Sequence, residues 1–392
     1  IALLSILCIF AFCTCATVRE FLDIEQAEQT AQNTRPDHTD REILRQIDQL
    51  KMEIAQLRED MRRENFTVLC SGDIMIANKI NTFIEKEGEG YPVARLENIR
   101  NRYDVFFANL ETPITSSGIS MTEKAYILKM DPSLRFILSH LGINVVSLAN
   151  NHIMDYGVTG LQDTIVFCQE QGIKATGAGY TLNDARKPAR ITLGPTDVVF
   201  LAYCGRPPDE FFAAPDRAGT SPLLIDHILD DIERYKNSNT VVLVSLHWGI
   251  EQRSVPLKSQ KSMAHAIIDG GADAIIGHHP HWPQGIEIYR GKPVIYSLGN
   301  FINGYTNRIE KDNFMAVLHF RRTDLDYIEV IPLAGKNSRI HFQPYVQRGG
   351  EAADNLKELE LLCRKMDTDM EIVGDRGIIR CPGNSPAPLA VP

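Results

Sequence analysis

Three histidines stand within four residues at His278, His279 and His281, in the run Gly277-His278-His279-Pro280-His281. A short apolar run, Ala274 to Ile276, leads into them, and a second, Val294 to Leu298, follows and closes at Gly299-Asn300. A turn beyond a strand can aim imidazoles into a cleft, and neutral imidazole is a common metal ligand. Four other apolar runs end in the same kind of chemistry. Phe66–Cys70 leads to Ser71-Gly72-Asp73, Val105–Ala108 to Asn109-Leu110-Glu111, Val145–Ala149 to Asn150-Asn151-His152, and Val241–Leu246 to His247-Trp248-Gly249. One Asp after a strand reads as a turn or cap. Five endings in Asp, Glu, Asn and His read as a site assembled at the carboxyl ends of strands, where open α/β folds place their ligands.

The elements that must carry these residues follow from the same pattern. Near-continuous apolar runs imply strands buried on both faces, the habit of α/β layers. Helices are expected between them at Ser133–His140, Gly160–Gln171, Ser221–Lys236 and Leu257–Asp269, with a later one at Ala352–Lys365. Further strands are expected at Phe314–Phe320, Ile328–Ile331 and Ile340–Pro344.

Taken together, these residues resemble the CapA family of poly-γ-glutamate capsule synthesis proteins, a branch of the calcineurin-like metallophosphoesterases. The matching stretches are Ser71–Met75, Ala108–Ile114, Leu148–Gly157, Leu246–Glu251, Gly277–His281 and Ser297–Ile302, and the resemblance spans roughly residues 66 to 345. It implies a four-layer α/β/β/α sandwich with a metallophosphoesterase-like metal site at its rim. Carried over residue by residue, Glu111 takes the bridging position; Asn151, His247 and His279 complete one metal site; Asp73 and His281 serve the other. His152 faces the substrate, and Asp155 could orient it through the far ring nitrogen, or simply start a helix. Mixed Asn, carboxylate and His ligation suits one or two divalent ions of Mn, Fe or Zn, which would activate a water.

The pattern departs from the wider phosphoesterases at Met75, where they carry His, and at Glu111, where they carry Asp. A thioether cannot replace imidazole for a hard or borderline cation. The Asp73 site is therefore short of a ligand, to be met by water or by another side chain such as Asn78. Around the site, His278 and Glu251 are read as supporting groups, Trp248 and Trp282 as cleft walls or packing residues, Arg206 and Arg253 as candidate anion binders, and Asn300 as support for the metal loop. His140, His227, His265, His319 and His341 fall off the strand ends and read as structural or solvated.

Composition is that of a globular protein: 392 residues, 44% hydrophobic and 23% charged, with net charge −9. No basic stripe gathers, which argues against a nucleic-acid partner. Of the 8 cysteines, three lie before residue 18 and none forms a C-x-x-C pair, so neither a zinc knuckle nor a disulfide framework is indicated. Residues 1–18 are uncharged and read as a signal peptide or N-terminal membrane anchor, with Cys13 or Cys15 a candidate lipid acceptor. Residues 19–65 read as a polar linker. Within it Ile43, Ile47, Leu50, Ile54, Leu57 and Met61 alternate steps of four and three, a heptad seam over 43–61 that implies a short coiled coil able to dimerise, or else an amphipathic helix lying on the domain. The expected layout is thus anchor, stalk, a CapA-like domain at 66–375 and a disordered tail at 376–392.

The expected protein is held at the cell envelope, membrane-anchored or secreted, with its head outside the cytoplasm. It would serve capsule or poly-γ-glutamate biosynthesis or export as a metal-dependent hydrolase of a phosphoester or amide bond. The alternative is a non-catalytic scaffold of the same fold that binds the anionic polymer or a polymer synthase. Met75 favours the scaffold; the intact Asn151-His152, His247 and His279/His281 set favours the hydrolase.

Overall fold

The computed structural model describes residues 45–53 and 64–381, apart from 97, 98, 122, 123, 125, 207 and 307. The chain divides into two compact units, residues 1–62 and 63–392. In the first, 45–53 is helical. The rest of the 43–61 seam, the 1–18 segment and most of the 19–65 linker lie outside the described residues. Among the described residues no helix is long and apolar enough to cross a membrane.

The second unit is built on strands β1 (Asn65–Met75), β2 (Val105–Leu110), β3 (Val145–Ser147), β4 (Lys174–Thr176), β5 (Ala178–Gly179), β6 (Ala189–Leu193), β7 (Thr196–Cys204), β8 (Gly219–Thr220), β9 (Thr240–His247), β10 (Ala274–His278), β11 (Ile286–Tyr289), β12 (Lys292–Ile295), β13 (Asn300–Asn303), β14 (Asn313–Arg321), β15 (Asp324–Leu333), β16 (Glu371–Val373) and β17 (Arg376–Arg380). Among the described residues these form a two-stranded sheet, β5-β8, and two large sheets. One runs β16-β17-β15-β14-β1-β2-β3-β4, with β13 paired to β1; the other runs β11-β12-β10-β9-β7-β6. Strands β1 to β4 are mutually parallel, as are β7, β9, β10 and β12, so each set brings its carboxyl ends to one edge.

Three apolar clusters hold these sheets. One takes Val68, Phe107 and Val145 from the first sheet and Phe200, Leu243 and Ile276 from the second. Phe107 and Phe200 stack within it at 5.1 Å. A second cluster packs the other face of the first sheet against helices Lys79–Glu87, Phe136–Leu141 and Gly157–Glu170, through Ile80, Leu138 and Leu161. A third packs the second sheet against helices Ile225–Tyr235 and Lys258–Asp269, through Ile228, Ile232, Ala264 and Ile267. Both principal sheets are therefore apolar on each side. That explains the continuous hydrophobic runs, and each large side chain so buried contributes about 1.5–3 kcal/mol.

Three expectations are corrected, and one strand was not expected. Ile340–Pro344 alternates like a strand, but Asn337–Ile340 is a helical turn, and His341 and Phe342 follow in the left-handed region at φ 50° and 64°, which breaks any extended run. The expected tail at 376–392 begins as a strand, because Arg376–Arg380 pairs with both β15 and β16; residues 382–392 lie outside the described set. Asp155 does not start a helix, since Gly157–Glu170 begins two residues later. Finally β7, a central strand, ends in Cys204 rather than a ligand type, so a reading keyed on strand endings passes over it.

A buried ion pair ties β7 to the helical layer. Asp231 accepts from Arg186 Nε at 2.8 Å, Arg186 Nη2 at 3.0 Å and the Tyr203 hydroxyl at 2.8 Å. Its carboxylate is almost wholly buried, whereas Arg186 keeps 18% of its side chain exposed. Asp231→Ala leaves the Tyr203 phenol without its partner and Arg186 with only the His227 carbonyl at 3.0 Å and Asp230 at 3.9 Å, and is expected to destabilise the fold by about 3 kcal/mol, at the low end for a broken buried pair because Arg186 keeps these partners and reaches water. Urea unfolding at neutral pH checks this; a loss under about 1 kcal/mol would show the pair to be ordinary surface chemistry.

Candidate metal centre

The strand register lines the site residues up. Asp73 sits opposite Asn109 on one side and Asn300 on the other, and Asn109 sits opposite Ser147. In the second sheet His247 sits between Cys204 and His278. Two glycines permit the close approach of backbone that this needs. A Cβ on Gly72 would lie 2.0 Å from the Gly299 carbonyl oxygen, and one on Gly277 2.0 Å from that of Tyr296. Neither position tolerates a side chain, so each strand end turns at its glycine toward the common edge.

Asp73 links the sheets. It is fully buried, accepts from Asn109 Nδ2 at 2.8 Å and from the His279 amide at 3.3 Å, and lies 3.2 Å from His278 Nδ1 and 3.1 Å from His281 Nδ1. Burial opposes its ionisation, but the two imidazoles more than offset this and hold the carboxyl well below its usual range. His281 Nδ1 also meets Asn300 Oδ1 at 3.0 Å. With Nδ1 held by these oxygens, Nε2 is left for the cleft. Burial pushes His281 down, yet Glu111 and Asp73 carry it up to about 9. His279 and His281 both have left-handed backbones, φ 92° and 56°. Such strain in non-glycine residues costs on the order of 1–3 kcal/mol each and concentrates where function over-determines geometry.

Glu111 lies at the centre. It is fully buried, and neither carboxylate oxygen has a hydrogen-bond partner. Burial, then the charge of Asp73, raises its pKa well above the carboxyl range. His247 Nε2 is 3.5 Å from Oε1 and 2.7 Å from Asn151 Oδ1. His279 is 2% exposed with both ring nitrogens unpartnered, and burial beside His281 pushes it down to about 3, so it is a neutral imidazole. Ligand atoms gather within 4.8 Å of one another in three sets: Glu111, His247 and His279; Asp73, Glu111 and His281; and Glu251, His279 and His281. Buried, unpartnered oxygen and nitrogen donors of both charge types are what a divalent cation requires, so the donor set fits one.

The remaining site residues resolve individually. His152 Nδ1 lies 2.7 Å from Asp155 Oδ2, so the pairing expected through the far ring nitrogen is formed, across a turn rather than along a helix. Asn150 shapes that turn by accepting from the amides of His152 and Ile153 at 3.1 and 2.9 Å. Asn78 is exposed and lies beside Tyr305, away from the carboxylates. His278 is fully buried against Asp73 and faces no substrate. Trp248 is packing: it stacks on Tyr296 and donates its indole N–H to the Tyr296 carbonyl at 3.1 Å. Trp282 stands apart from the cleft lining, and Arg206 and Arg253 are exposed. Met75 does line the cleft, with Tyr126, Leu128, His152, Glu251, His281, Asn300 and Tyr305.

Lys124 is the functional residue the sequence did not announce. Its ammonium donates to Asp155 Oδ1 and to the Asn151 carbonyl at 2.5 Å, and lies 3.3 Å from His152 Nδ1. No motif marks it in the sequence, and only the folded chain brings it beside the Asn151-His152 turn.

An α/β protein with a histidine–carboxylate cluster at the carboxyl ends of two parallel strand sets is the class these features define. The family model for bacterial capsule synthesis protein PGA_cap matches residues 67–305, and the chain belongs to that family. It is 31% identical over 266 residues to the PGA biosynthesis protein CapA of Bacillus subtilis, covering 67% of this chain and 70% of that one. It is 32% identical over 310 residues to a probable polyglutamine synthesis accessory protein of Mycobacterium tuberculosis, covering 73% and 80%. Among solved structures, the NAD nucleotidase of Haemophilus influenzae aligns at 12% identity and a TM-score of 0.42, over 76% of this chain and 56% of that one, a score from which no functional argument follows.

Proposed function

We propose that this protein is a metal-dependent hydrolase of the four-layer α/β/β/α, metallophosphoesterase-like type, acting at the cell envelope in the assembly, release or attachment of an anionic capsule polymer such as poly-γ-glutamate. The observation that carries the metal is Glu111, a buried carboxylate with both oxygens unpartnered beside the imidazoles of His247 and His279. The polymer comes from the relatives, which are named for PGA and polyglutamine synthesis. In this reading Glu111 is shared between two positions. Asn151, His247 and His279 complete one, and Asp73 and His281 serve the other. A divalent pair of Mn, Fe or Zn held there supplies Lewis acidity and an activated water.

The chain's own residues do the rest. Asp155 holds Nδ1–H of His152 and so directs the bare Nε2 to the cleft, where it can take a proton from the attacking water and pass it to the departing oxygen or nitrogen. Lys124 neutralises Asp155 and pins the turn. Met75, Leu128, Tyr126 and Tyr305 form the less polar wall against which the substrate would lie.

A second reading, a non-catalytic metal-bound scaffold for the polymer or its synthase, is favoured by Met75 alone. Elemental analysis of the purified full-length chain, beside His279→Ala and Asp73→Ala, decides the metal. About two metals in the wild type, fewer in both variants, is the expected result. A screen of phosphodiesters and γ-glutamyl peptides then separates hydrolase from scaffold, and no metal after purification with Mn²⁺ would sink both.

A further inference from the structure

The two halves of the centre are unequal. Glu111, Asn151, His247 and His279 give four oxygen or nitrogen donors on one side. Asp73, Glu111 and His281 give three on the other, where the adjoining wall is Met75, whose soft thioether a borderline dication takes poorly. Glu251 lies across that gap. A Glu251 carboxylate oxygen and one ring nitrogen each of His279 and His281 all fall within 4.8 Å of one another. His279 belongs to the first position and His281 to the second, so Glu251 reaches both.

Its place is fixed by the backbone. The Gln252 amide donates to the Pro280 carbonyl at 2.8 Å, which ties the loop after β9 to the histidine turn. Gln252 itself takes a left-handed backbone, φ 57°, at that tie. Glu251 and Met75 line the same cleft, and Glu251 is exposed, without a side-chain hydrogen bond or ion pair among the described residues. His279, buried with both ring nitrogens unpartnered, is the independent sign that a cation belongs beside it.

We propose that Glu251 is a second shared carboxylate ligand of the metal pair, entering from the solvent side and standing in for the donor that Met75 cannot supply. The inference rests on the metal reading above. It assigns a ligand to the HWG-x-E stretch beyond His247, and it makes the lone position of Asp73 and His281 tenable with a methionine beside it.

The test is metal stoichiometry, read without any activity assay. Full-length wild type, E251Q and the double variant M75H/E251Q are equilibrated with Mn²⁺, freed of excess ion and measured by elemental analysis. About two ions per chain are expected in the wild type, one in E251Q and two again in the double variant. Glu251 is exposed, so the metal-free melting temperature of E251Q should match the wild type and exclude misfolding. Two ions in E251Q would overturn the assignment. One ion in both variants would overturn the claim that Glu251 stands in for position 75. Fewer than two in the wild type would overturn the metal pair itself, a separate failure.

Discussion

Glu111→Gln is expected to empty the centre while making the metal-free protein no less stable. The two effects have one cause. Glu111 is buried with no hydrogen bond to either oxygen, so without a cation it is a desolvated acid whose ionised form the fold disfavours. The amide has nearly the same shape and no charge to desolvate. It is also a poor bridging donor, because two cations need an anion between them. Affinity should fall by more than the roughly 10–100-fold that loss of a merely supporting partner costs. The sign of the pH effect follows. A carboxyl whose folded pKa is raised contributes stability that is fully present below the ordinary carboxyl range and is lost as pH rises through the raised value. The stability difference between the metal-free wild type and Glu111→Gln should therefore move in favour of the glutamine as pH rises over that interval. Thermal melts with and without Mn²⁺ read both effects, since a bound ion stabilises by mass action. Wild-type-like stabilisation of Glu111→Gln by Mn²⁺ would remove Glu111 from the centre.

The legibility of this site in sequence has a physical origin. Strands β1, β2, β9 and β10 are buried on both faces and written as unbroken apolar runs, and a polar residue at the end of such a run has few places to go but the common edge. Asp73, Glu111, His247 and the histidine turn could thus be read before any contact was known. The same habit explains what was missed. Strand β7 is as apolar as the others, but it closes on Cys204 and Gly205 and carries no ligand to draw notice. Ile340–Pro344 alternates in the strand manner, whereas His341 and Phe342 are left-handed and Phe342 is buried against Phe83, a tertiary contact that alternation does not encode. Lys124 and the reach of Glu251 to two histidines depend on where loops cross. A loop residue's neighbours are fixed by the path of the chain, not by its local pattern.

Asp155→Asn should lower turnover by about 10²–10⁴-fold while leaving both metals in place, the range for losing a positioned acid–base group. Asp155 touches none of the three ligand sets; its oxygens go to His152 Nδ1, Lys124 and the Leu128 amide at 2.7 Å. As a carboxylate it only accepts, so it requires the proton of neutral His152 to sit on Nδ1 and leaves Nε2 to the cleft. An asparagine can turn either its oxygen or its NH₂ to the ring, and Lys124, 3.3 Å from Nδ1, would then compete for that nitrogen as a donor. Both changes favour the opposite tautomer. The variant also breaks a buried charge pair, so some loss of stability accompanies it, which a melt measures separately. The decisive readout is the nitrogen NMR signature of His152: Nδ1–H in the wild type and its loss in Asp155→Asn, beside an unchanged metal count. An intact Nδ1–H with full turnover would mean that Asp155 serves the turn alone and that His152 takes its orientation from the chain around it.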